Sequence, residues 1–487
     1  MQFNKPFEHI LPEQAGLSSR AILAFLDELD NKRVVVHSVQ ILRYGKLLAE
    51  GYYAPFTADT QHRIFSISKS FVSLAIGILA GEGKLSLDDK IVDHWPEKVP
   101  ADVHPYIAAT TIRDMLKMTS PHNTSAYKVV KDDDWVRTFF TCPPCRRPGT
   151  VFVYETTNAT VLSALVEKLT GKTILEFLYE RLFTPMECSE GIHSAMLPTG
   201  IAWGGAGFIC TPRDLAKVAQ LCLNGGVWEG KQLVPAEYIR EATAKQQENN
   251  LASARWPDQR QGYGYQIWRC SHNGFSFLGM GAQVAVCLPD RDLVVVVNGD
   301  NQLISDGYHR IFTSLWDQIY DNLSDTPLPE DPEASEALAR RLTSLQVITA
   351  EGDAKKPEEI PFETGRWYTM DENRAGITTC RFTFTEDGGT FEYERTGFGH
   401  YAIPFGYGKQ VQHTFDGMPA ISSAGWHTER HLQLCTYVIG DAPAPLEIGF
   451  CFEDDAITMI MRNGSEGLLD GMAFVGYNGA FSGQFTE

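Results

Sequence analysis

The residues whose types and spacing best suit chemistry are Ser66 and Lys69, in the run Ser66-Ile67-Ser68-Lys69. Residues three apart on a helix share a face, so the two side chains are expected to lie one turn apart and adjacent. A serine at a helix start has free backbone N–H groups around it, and these suit a developing oxyanion. The spacing therefore allows a nucleophilic serine with a lysine base. It equally allows a helix N-cap beside a surface lysine.

The apolar residues around Lys69 help to decide between a catalytic base and a surface lysine, because burial disfavours a charged ammonium group. At an ordinary pKa of about 10.4, only about one lysine in 2,500 is neutral at pH 7. Lowering the pKa to about 7–8 costs roughly 3–4 kcal/mol and creates a general base. A second S-x-x-K match, Ser125 to Lys128, precedes the charged run Lys131 to Asp134, and is expected to form a solvated loop.

Several other kinds of site are excluded by the sequence. It contains no G-x-S-x-G, H-E-x-x-H or G-x-G-x-x-G. Gly225 to Lys231 has the spacing of a phosphate-binding loop, but Gln232 stands where Ser or Thr would hold magnesium. Cys142 and Cys145 form one close pair without the second pair that a zinc site needs. Neither a metal nor a cofactor is therefore expected.

Tyr154 lies just before a capped apolar helix predicted to run to Gly171. At this point the chain resembles the serine β-lactamase-like hydrolases, the superfamily of penicillin-binding proteins and class C β-lactamases. It is particularly similar to the branch with 6-aminohexanoate-dimer hydrolase and related esterases. The resemblance covers roughly residues 10–320. Its motifs are Pro12 to Ser18, Ser66 to Lys69, Thr111 to Leu116, Phe152 to Asn158 and Thr211 to Ala216.

The resemblance implies a role for each matching residue. Ser66 would be the nucleophile, and Lys69 the base that activates it. Tyr154 would match the tyrosine of the Y-x-N motif and relay a proton to the leaving group. The third position of that motif is Thr156 instead of Asn, although Asn158 is close, so both are candidate substrate contacts.

The family's third motif, K-T-G or H-x-G, is placed at Phe277-Leu278-Gly279. The N–H of Met280 would then join that of Ser66 in an oxyanion hole beside Gly279. No lysine occupies the motif, and this lysine usually helps to bind the carboxylate of a β-lactam. Weak β-lactamase activity at most is expected. A rival placement, His272-Asn273-Gly274, requires a longer hairpin.

The elements that must position these residues follow from hydrophobic patterning. An amphipathic helix is predicted over 13–30, a buried helix over 71–79, and a mostly helical stretch to about residue 245. One antiparallel sheet built from both ends of the domain and flanked by helices is predicted, an α/β (α+β) fold of the β-lactamase/transpeptidase kind. Its strands are expected at 34–42, 46–53, 262–268, 275–278, 283–288 and 293–298, before a closing helix over 305–323.

The expected domain organisation is a hydrolase domain over residues 1–325, a linker with a short helix over 326–360, and an all-β domain over 361–487. Short alternating runs with Gly/Asp turns indicate a small barrel in the last part. In related two-domain proteins the resemblance implies a lipocalin-like barrel. Such a barrel could shape the substrate entrance or form an oligomer contact. It could equally have a purely stabilising role.

Composition limits the partners. The chain has 487 residues, 43% of them hydrophobic, and a net charge of −19, which excludes a general binder of nucleic-acid phosphates. Residues 71–80, the longest apolar stretch, are half of the ~20 residues that a membrane span needs. Without a recognised signal peptide, a cytoplasmic protein with no membrane partner is expected. The sequence fixes no oligomeric state.

Two functions remain. The first is a serine hydrolase that cleaves a small ester or amide substrate through an acyl-enzyme on Ser66. The alternative is a catalytically weak or inactive penicillin-binding-like protein that binds or senses a ligand. The set of Ser66, Lys69 and Tyr154 favours the enzyme.

Overall fold

The computed structural model describes residues 4–250, 256–360, 362, 364–464, 474 and 476–485. The chain divides into two compact units. The first comprises Met1–Gly299 and Asp306–Gln346, and the second comprises Asp300–Ser305 and Val347–Glu487. The segment 326–360, expected as a linker, is thus divided between the two units after Gln346.

The helices of the first unit surround the residues of interest. In chain order they are α1 Ser19–Asn31, α2 Ser68–Gly81, α3 Pro105–Ala109, α4 Ile112–Leu116, α5 Ala126–Val129, α6 Trp135–Thr141, α7 Thr157–Thr170, α8 Ile174–Leu178, α9 Pro212–Leu223, α10 Ala236–Thr243, α11 Gly307–Ser314 and α12 Pro332–Thr343. The predicted closing helix is α11, which continues as a π-helical turn over Leu315–Ile319.

The strands of the first unit form one large sheet and two small ones. In chain order they are β1 Val36–Arg43, β2 Lys46–Tyr52, β3 His62–Arg63, β4 His193–Ser194, β5 Phe208–Cys210, β6 Val227–Trp228, β7 Lys231–Gln232, β8 Trp268–Arg269, β9 Phe275–Gly279, β10 Gln283–Leu288 and β11 Leu293–Gly299. The large sheet has the order β2-β1-β11-β10-β9-β8, with antiparallel neighbours throughout.

This sheet confirms the predicted assembly from both ends of the domain. β1 pairs with β11, so the first and last strands of the unit meet at its centre. Every residue of β1, β9, β10 and β11 is buried, because α9 packs on β10 and β11 and other elements cover the sheet. The strand expected over 262–268 is shorter: β8 begins at Trp268, and Tyr263 makes isolated bridges to Gln247 and Trp268.

α12 is an integral part of the first unit. Its buried residues Ala334 and Leu338 face inward, and the helix packs against α1 and β2. Arg341 forms ion pairs with Asp27 and Asp30 of α1. The short helix of the expected linker is therefore anchored to the fold that carries Ser66.

The second unit contains a closed barrel in its described part, which confirms the all-β prediction. Its strands are β12 Trp367–Met370, β13 Ile377–Phe384, β14 Gly388–Arg395, β15 Gly399–Tyr407, β16 Val411–Phe415, β17 Met418–Thr428, β18 His431–Val438, β19 Ala444–Phe452, β20 Ala456–Asn463 and β21 Gly479–Phe485. Pairing of β15 with β17 closes a ring of nine of these strands, whereas lipocalin barrels have eight, and β16 pairs on β17 beside the closure.

Candidate active site

Ser66 lies in a 3₁₀ turn, Phe65–Ile67, directly before α2. Phe65 has a φ of +46°, a left-handed conformation that a bulky residue adopts only when its surroundings hold it there. Ser68 supplies part of that hold, since its hydroxyl donates to the Phe65 carbonyl at 2.6 Å and accepts from the Phe208 N–H at 3.0 Å. The turn leaves Ser66 partly exposed, while Lys69 is buried.

Lys69 connects Ser66 to a glycine-rich loop. Its Nζ lies 2.9 Å from Ser66 Oγ and donates to the Gly205 carbonyl at 2.5 Å. The side chain is 1% exposed, and Nζ lies 5.1 Å from the centroid of the Tyr154 ring. The structure therefore brings the three side chains singled out by the sequence into one cluster.

Tyr154 forms the aromatic side of this cluster. Its ring lies 5.3 Å from that of Trp268 and 6.4 Å from that of Tyr263. Trp268 is the first residue of β8, at the edge of the large sheet, and is partly exposed like Tyr154. The surface beside Ser66 and Lys69 is accordingly rich in aromatic side chains.

Glu155, the next residue, fixes the start of α7. Its carboxylate accepts hydrogen bonds from the Thr157 N–H at 2.7 Å and the Asn158 N–H at 3.1 Å, and Ser120 donates to it at 3.3 Å. Burial raises the pKa of Glu155 to about 7, although these hydrogen bonds oppose the shift. Tyr154 thus directly precedes a buried carboxylate whose hydrogen bonds fix the first turn of α7.

The two candidate substrate contacts have different positions. Thr156 is partly exposed, and a side chain on Gly205 would meet its Cγ2 at 2.4 Å, so Thr156 borders the loop that holds Lys69. Asn158 is fully buried in α7, where its amide nitrogen lies 3.5 Å from the Met118 sulfur. Thr156 therefore borders the loop beside Lys69, whereas Asn158 is buried against Met118, a member of the small apolar cluster on which Tyr154 packs.

The second S-x-x-K match does not form the solvated loop expected for it. Ser125 is buried just before α5, and its Oγ accepts from the Thr156 N–H at 3.0 Å. Lys128 is exposed. Ser125 therefore helps to position the Y-x-N-like segment.

Gly279 brings the end of β9 against the turn that carries Ser66. A Cβ on Gly279 would lie 2.2 Å from the Ile64 carbonyl oxygen, closer than any side chain could tolerate. Met280 follows in a tight turn and is partly exposed. The predicted oxyanion-hole residues Met280 and Gly279 are thus next to the segment that leads into Ser66.

The rival placement of the third motif lies elsewhere. His272 is in the turn that precedes β9, at the opposite end of that strand from Gly279. Its ring packs 3.8 Å from that of Tyr320 and 4.5 Å from that of Trp316. His272 is therefore part of an aromatic cluster. This cluster lies away from Gly279, the end of β9 that meets Ile64.

Two residues of the site were not found from the sequence. Gly205 lies in Gly204-Gly205-Ala206-Gly207, and this glycine cluster was a usable signal of a close backbone approach. Tyr308 in α11 donates to the Gly279 carbonyl at 2.5 Å. Nothing in its sequence surroundings indicates that contact.

Among the described residues, no group of three or more His, Cys, Asp or Glu side chains is arranged to hold a metal ion. The same part of the chain contains no helix whose length and apolar character would let it cross a membrane.

Comparisons with known proteins show which family the chain resembles. A sequence profile of the family described as Beta-lactamase matches residues 24–302. The 6-aminohexanoate-dimer hydrolase of Paenarthrobacter ureafaciens is 26% identical over 276 residues, 53% of this chain and 70% of that protein. Penicillin-binding protein 4 of Amycolatopsis lactamdurans is 29% identical over 160 residues, 31% of this chain and 39% of that protein.

A solved structure agrees with this fold. A provisionally assigned 6-aminohexanoate-dimer hydrolase from Bacillus anthracis superposes with a TM-score of 0.54 and 21% identity, and the alignment covers 68% of this chain and 90% of that one. This likeness confirms the β-lactamase/transpeptidase-like fold predicted from the sequence motifs.

Proposed function

The chain belongs to the beta-lactamase family, and on this basis we propose that it is a serine hydrolase that cleaves a small ester or amide through an acyl-enzyme on Ser66. The observation that carries the proposal is the pairing of a partly exposed Ser66 hydroxyl with the buried amine of Lys69 at 2.9 Å. A nucleophile needs a base within hydrogen-bond reach, and this contact satisfies that requirement.

In the proposed reaction, neutral Lys69 accepts the proton of Ser66 while Ser66 Oγ attacks the carbonyl carbon of the substrate. The carbonyl oxygen becomes an oxyanion, which the N–H groups of Ser66 and Met280 stabilise. Tyr154 donates its phenol proton to the leaving alcohol or amine as the carbon–heteroatom bond breaks, and takes the proton held by Lys69 in its place. Lys69, neutral again, accepts a proton from the water that attacks the acyl-enzyme and gives it to Ser66 Oγ as the acid leaves.

The surroundings of the cluster support an uncharged substrate. Trp268 and Tyr154 offer aromatic surface, and Phe277 stands where the family's lysine would meet a carboxylate. The relative in Paenarthrobacter is named for hydrolysis of an aminohexanoate dimer. We infer that the preferred substrates of this chain are small esters or linear amides and that β-lactams react poorly.

A fluorophosphonate probe followed by intact-mass measurement tests the proposal, because the probe phosphonylates only an activated serine. Wild type is expected to gain one probe mass, and digestion should map that mass to Ser66 and not to Ser125. Ser66→Ala should gain none. Heat-unfolded wild type serves as the control for nonspecific labelling. A folded wild type that stays unlabelled would favour the alternative, a binding or sensor protein of the same fold.

A further inference from the structure

The Gly279–Met280 peptide group makes contacts on both of its polar atoms. Its N–H is that of Met280, the proposed second donor to the oxyanion. Its C=O is that of Gly279, and this oxygen accepts the hydroxyl hydrogen of Tyr308 at 2.5 Å. A distance of 2.5 Å is at the short end of O–H···O hydrogen bonds. Tyr308 therefore contacts the very amide that the proposed reaction uses.

The location of this amide is fixed by steric contact. β9 packs against the 3₁₀ turn of Ser66, and no atom fits between the Gly279 α-carbon and the Ile64 carbonyl. This contact prevents the peptide group from moving toward the turn, but it does not prevent rotation of the peptide plane about the strand axis. A hydrogen bond at the Gly279 oxygen restricts that rotation.

A second side chain holds the far side of the turn. Gln283 donates to the Met280 carbonyl at 3.3 Å and also to the Gly299 carbonyl. Its own side-chain oxygen accepts from Asn298 at 3.1 Å, and Asn298 accepts from Ser38 at 3.0 Å. This buried network fixes the turn to β11 and β1. Tyr308 differs from this network because its hydroxyl contacts the Gly279–Met280 amide, which carries the Met280 N–H.

The contact also changes the donor strength of that amide. A hydrogen bond accepted by a carbonyl polarises the whole peptide group, and chains of such bonds strengthen one another by about 10–30% per bond. Removal from water, with a further contribution from Tyr154, raises the pKa of Tyr308. The phenol therefore keeps its proton and remains a donor at all pH values where an esterase is assayed.

We propose that Tyr308 is a positioning residue for hydrolysis, whose hydroxyl orients and polarises the Gly279–Met280 amide so that the Met280 N–H meets the developing oxyanion. The inference rests on the proposed function, because it assigns a task to Tyr308 within the same reaction. Tyr308 acts through the amide and does not touch the substrate.

Tyr308→Phe in the full chain removes only the hydroxyl oxygen. Loss of a whole oxyanion donor costs about 10²–10³ in kcat, so loss of its orientation and polarisation is expected to lower kcat for an aryl ester about tenfold. KM should change less than twofold. A thionoester of the same acyl group gives a second readout, because its sulfur is a poor hydrogen-bond acceptor. Turnover of the thionoester should fall less than threefold.

Two further variants make the test specific. Tyr308→4-aminophenylalanine keeps the ring and an N–H donor and should restore most of the ester turnover. Tyr393→Phe in the barrel also removes a buried hydroxyl that is hydrogen bonded, to Tyr477 at 2.8 Å, and should leave kcat unchanged. Thermal unfolding of each variant reports on folding.

Equal losses on ester and thionoester, or unchanged kcat in a folded Tyr308→Phe variant, overturn the role of Tyr308. If that happens while Ser66→Ala remains inactive, the proposed function stands and only this inference fails. Ester turnover by Ser66→Ala at the wild-type rate overturns both. If Tyr308→Phe is unfolded, a wild-type rate in the folded 4-aminophenylalanine variant supports the role, and a tenfold loss there overturns it.

Discussion

The amine of Lys69 lies 2.9 Å from the hydroxyl of Ser66, and the Gly205 carbonyl holds the same nitrogen from another direction. The second contact matters because holding a long, flexible lysine beside Ser66 costs side-chain entropy, and the additional hydrogen bond offsets that cost. Burial of the stem within α2 and the fixed acceptor on the loop keep the amine in place. The pair is thus organised before any substrate binds.

We expect Lys69→Ala to lower kcat for aryl esters about 10²–10⁴-fold, because a positioned base contributes a factor of that size to the rate. Lys69→Arg should be equally inactive, since a guanidinium keeps its proton. Stopped-flow acylation rates of wild type and both variants measure this, and acylation by either variant at the wild-type rate would contradict the role of Lys69 as the base.

Gly279→Ala tests the close approach of β9 to the turn of Ser66. The added Cβ would lie 2.2 Å from the Ile64 carbonyl, so the strand must shift by about 1 Å. A misplacement of that size costs about a hundredfold in rate. Gly449→Ala is the matched control, because its Cβ would meet only a flexible Ile460 methyl group, at 3.1 Å. Wild-type turnover by Gly279→Ala would show that Met280 is not an oxyanion donor.

Glu155→Gln tests the titrating cap of α7. The carboxyl has a pKa of about 7 when folded against an ordinary 4.5, so the folded state binds its proton more tightly than the unfolded state. The resulting stabilisation is complete below pH 4.5 and is lost as pH rises through about 7, by up to about 3 kcal/mol.

The difference in melting temperature between wild type and Glu155→Gln reports on the ionisation of Glu155 alone, because all other titrating groups are present in both proteins. Wild type should lose stability relative to the variant between pH 5 and pH 8. A difference that stays constant over this range would mean that Glu155 ionises normally. Arg146 and Cys142 are the charged and titratable neighbours that its ionisation affects.

The adjacency of Ser66 and Lys69 could be predicted because the 3₁₀ turn that carries Ser66 runs directly into α2, so a spacing of three residues still places the two side chains side by side. The sheet was likewise predictable, since buried valine-rich strands such as β11 have an unmistakable pattern. The barrel strand β17 was not predicted, and neither were its neighbours β15 and β16. The pairing partners of these strands are close in the chain, but buried residues such as Ser422 and Ser423 are not apolar, so the alternating hydrophobic pattern is missing.

The parts of the site that sequence could not supply come from long-range contacts. Tyr308 meets Gly279 across 29 residues, and Lys69 meets Gly205 across 136. The different positions of Thr156 and Asn158 depend on where α7 begins. Glu155 caps that helix, so Asn158 falls inside its first turn and faces the core.

A chain ending after Gln346 is expected to fold and to hydrolyse small esters, whereas one ending after Asp325 should be destabilised. The shorter chain lacks α12, whose Leu342 and neighbouring Leu345 lie against Gly51 of β2. Losing the buried side chains of Leu338 and Leu345, at about 1.5–3 kcal/mol each, lowers the melting temperature by about 5 °C or more. Calorimetry on both fragments checks this. Equal melting temperatures would mean that α12 contributes nothing to the first unit.

Nitrocefin hydrolysis is expected to be slow relative to an aryl ester. The resemblance places the family's third motif at Phe277-Leu278-Gly279, where the buried side chain of Phe277 would replace the lysine that binds the carboxylate of β-lactams. A hydrogen bond to a charged group is worth about 1.5–3 kcal/mol, so its absence should lower kcat/KM about 10–100-fold. Both substrates are measured on wild type and on Ser66→Ala, which corrects for background hydrolysis. If nitrocefin and the ester react at equal rates through Ser66, another group must bind the carboxylate, and the preference for uncharged substrates is wrong.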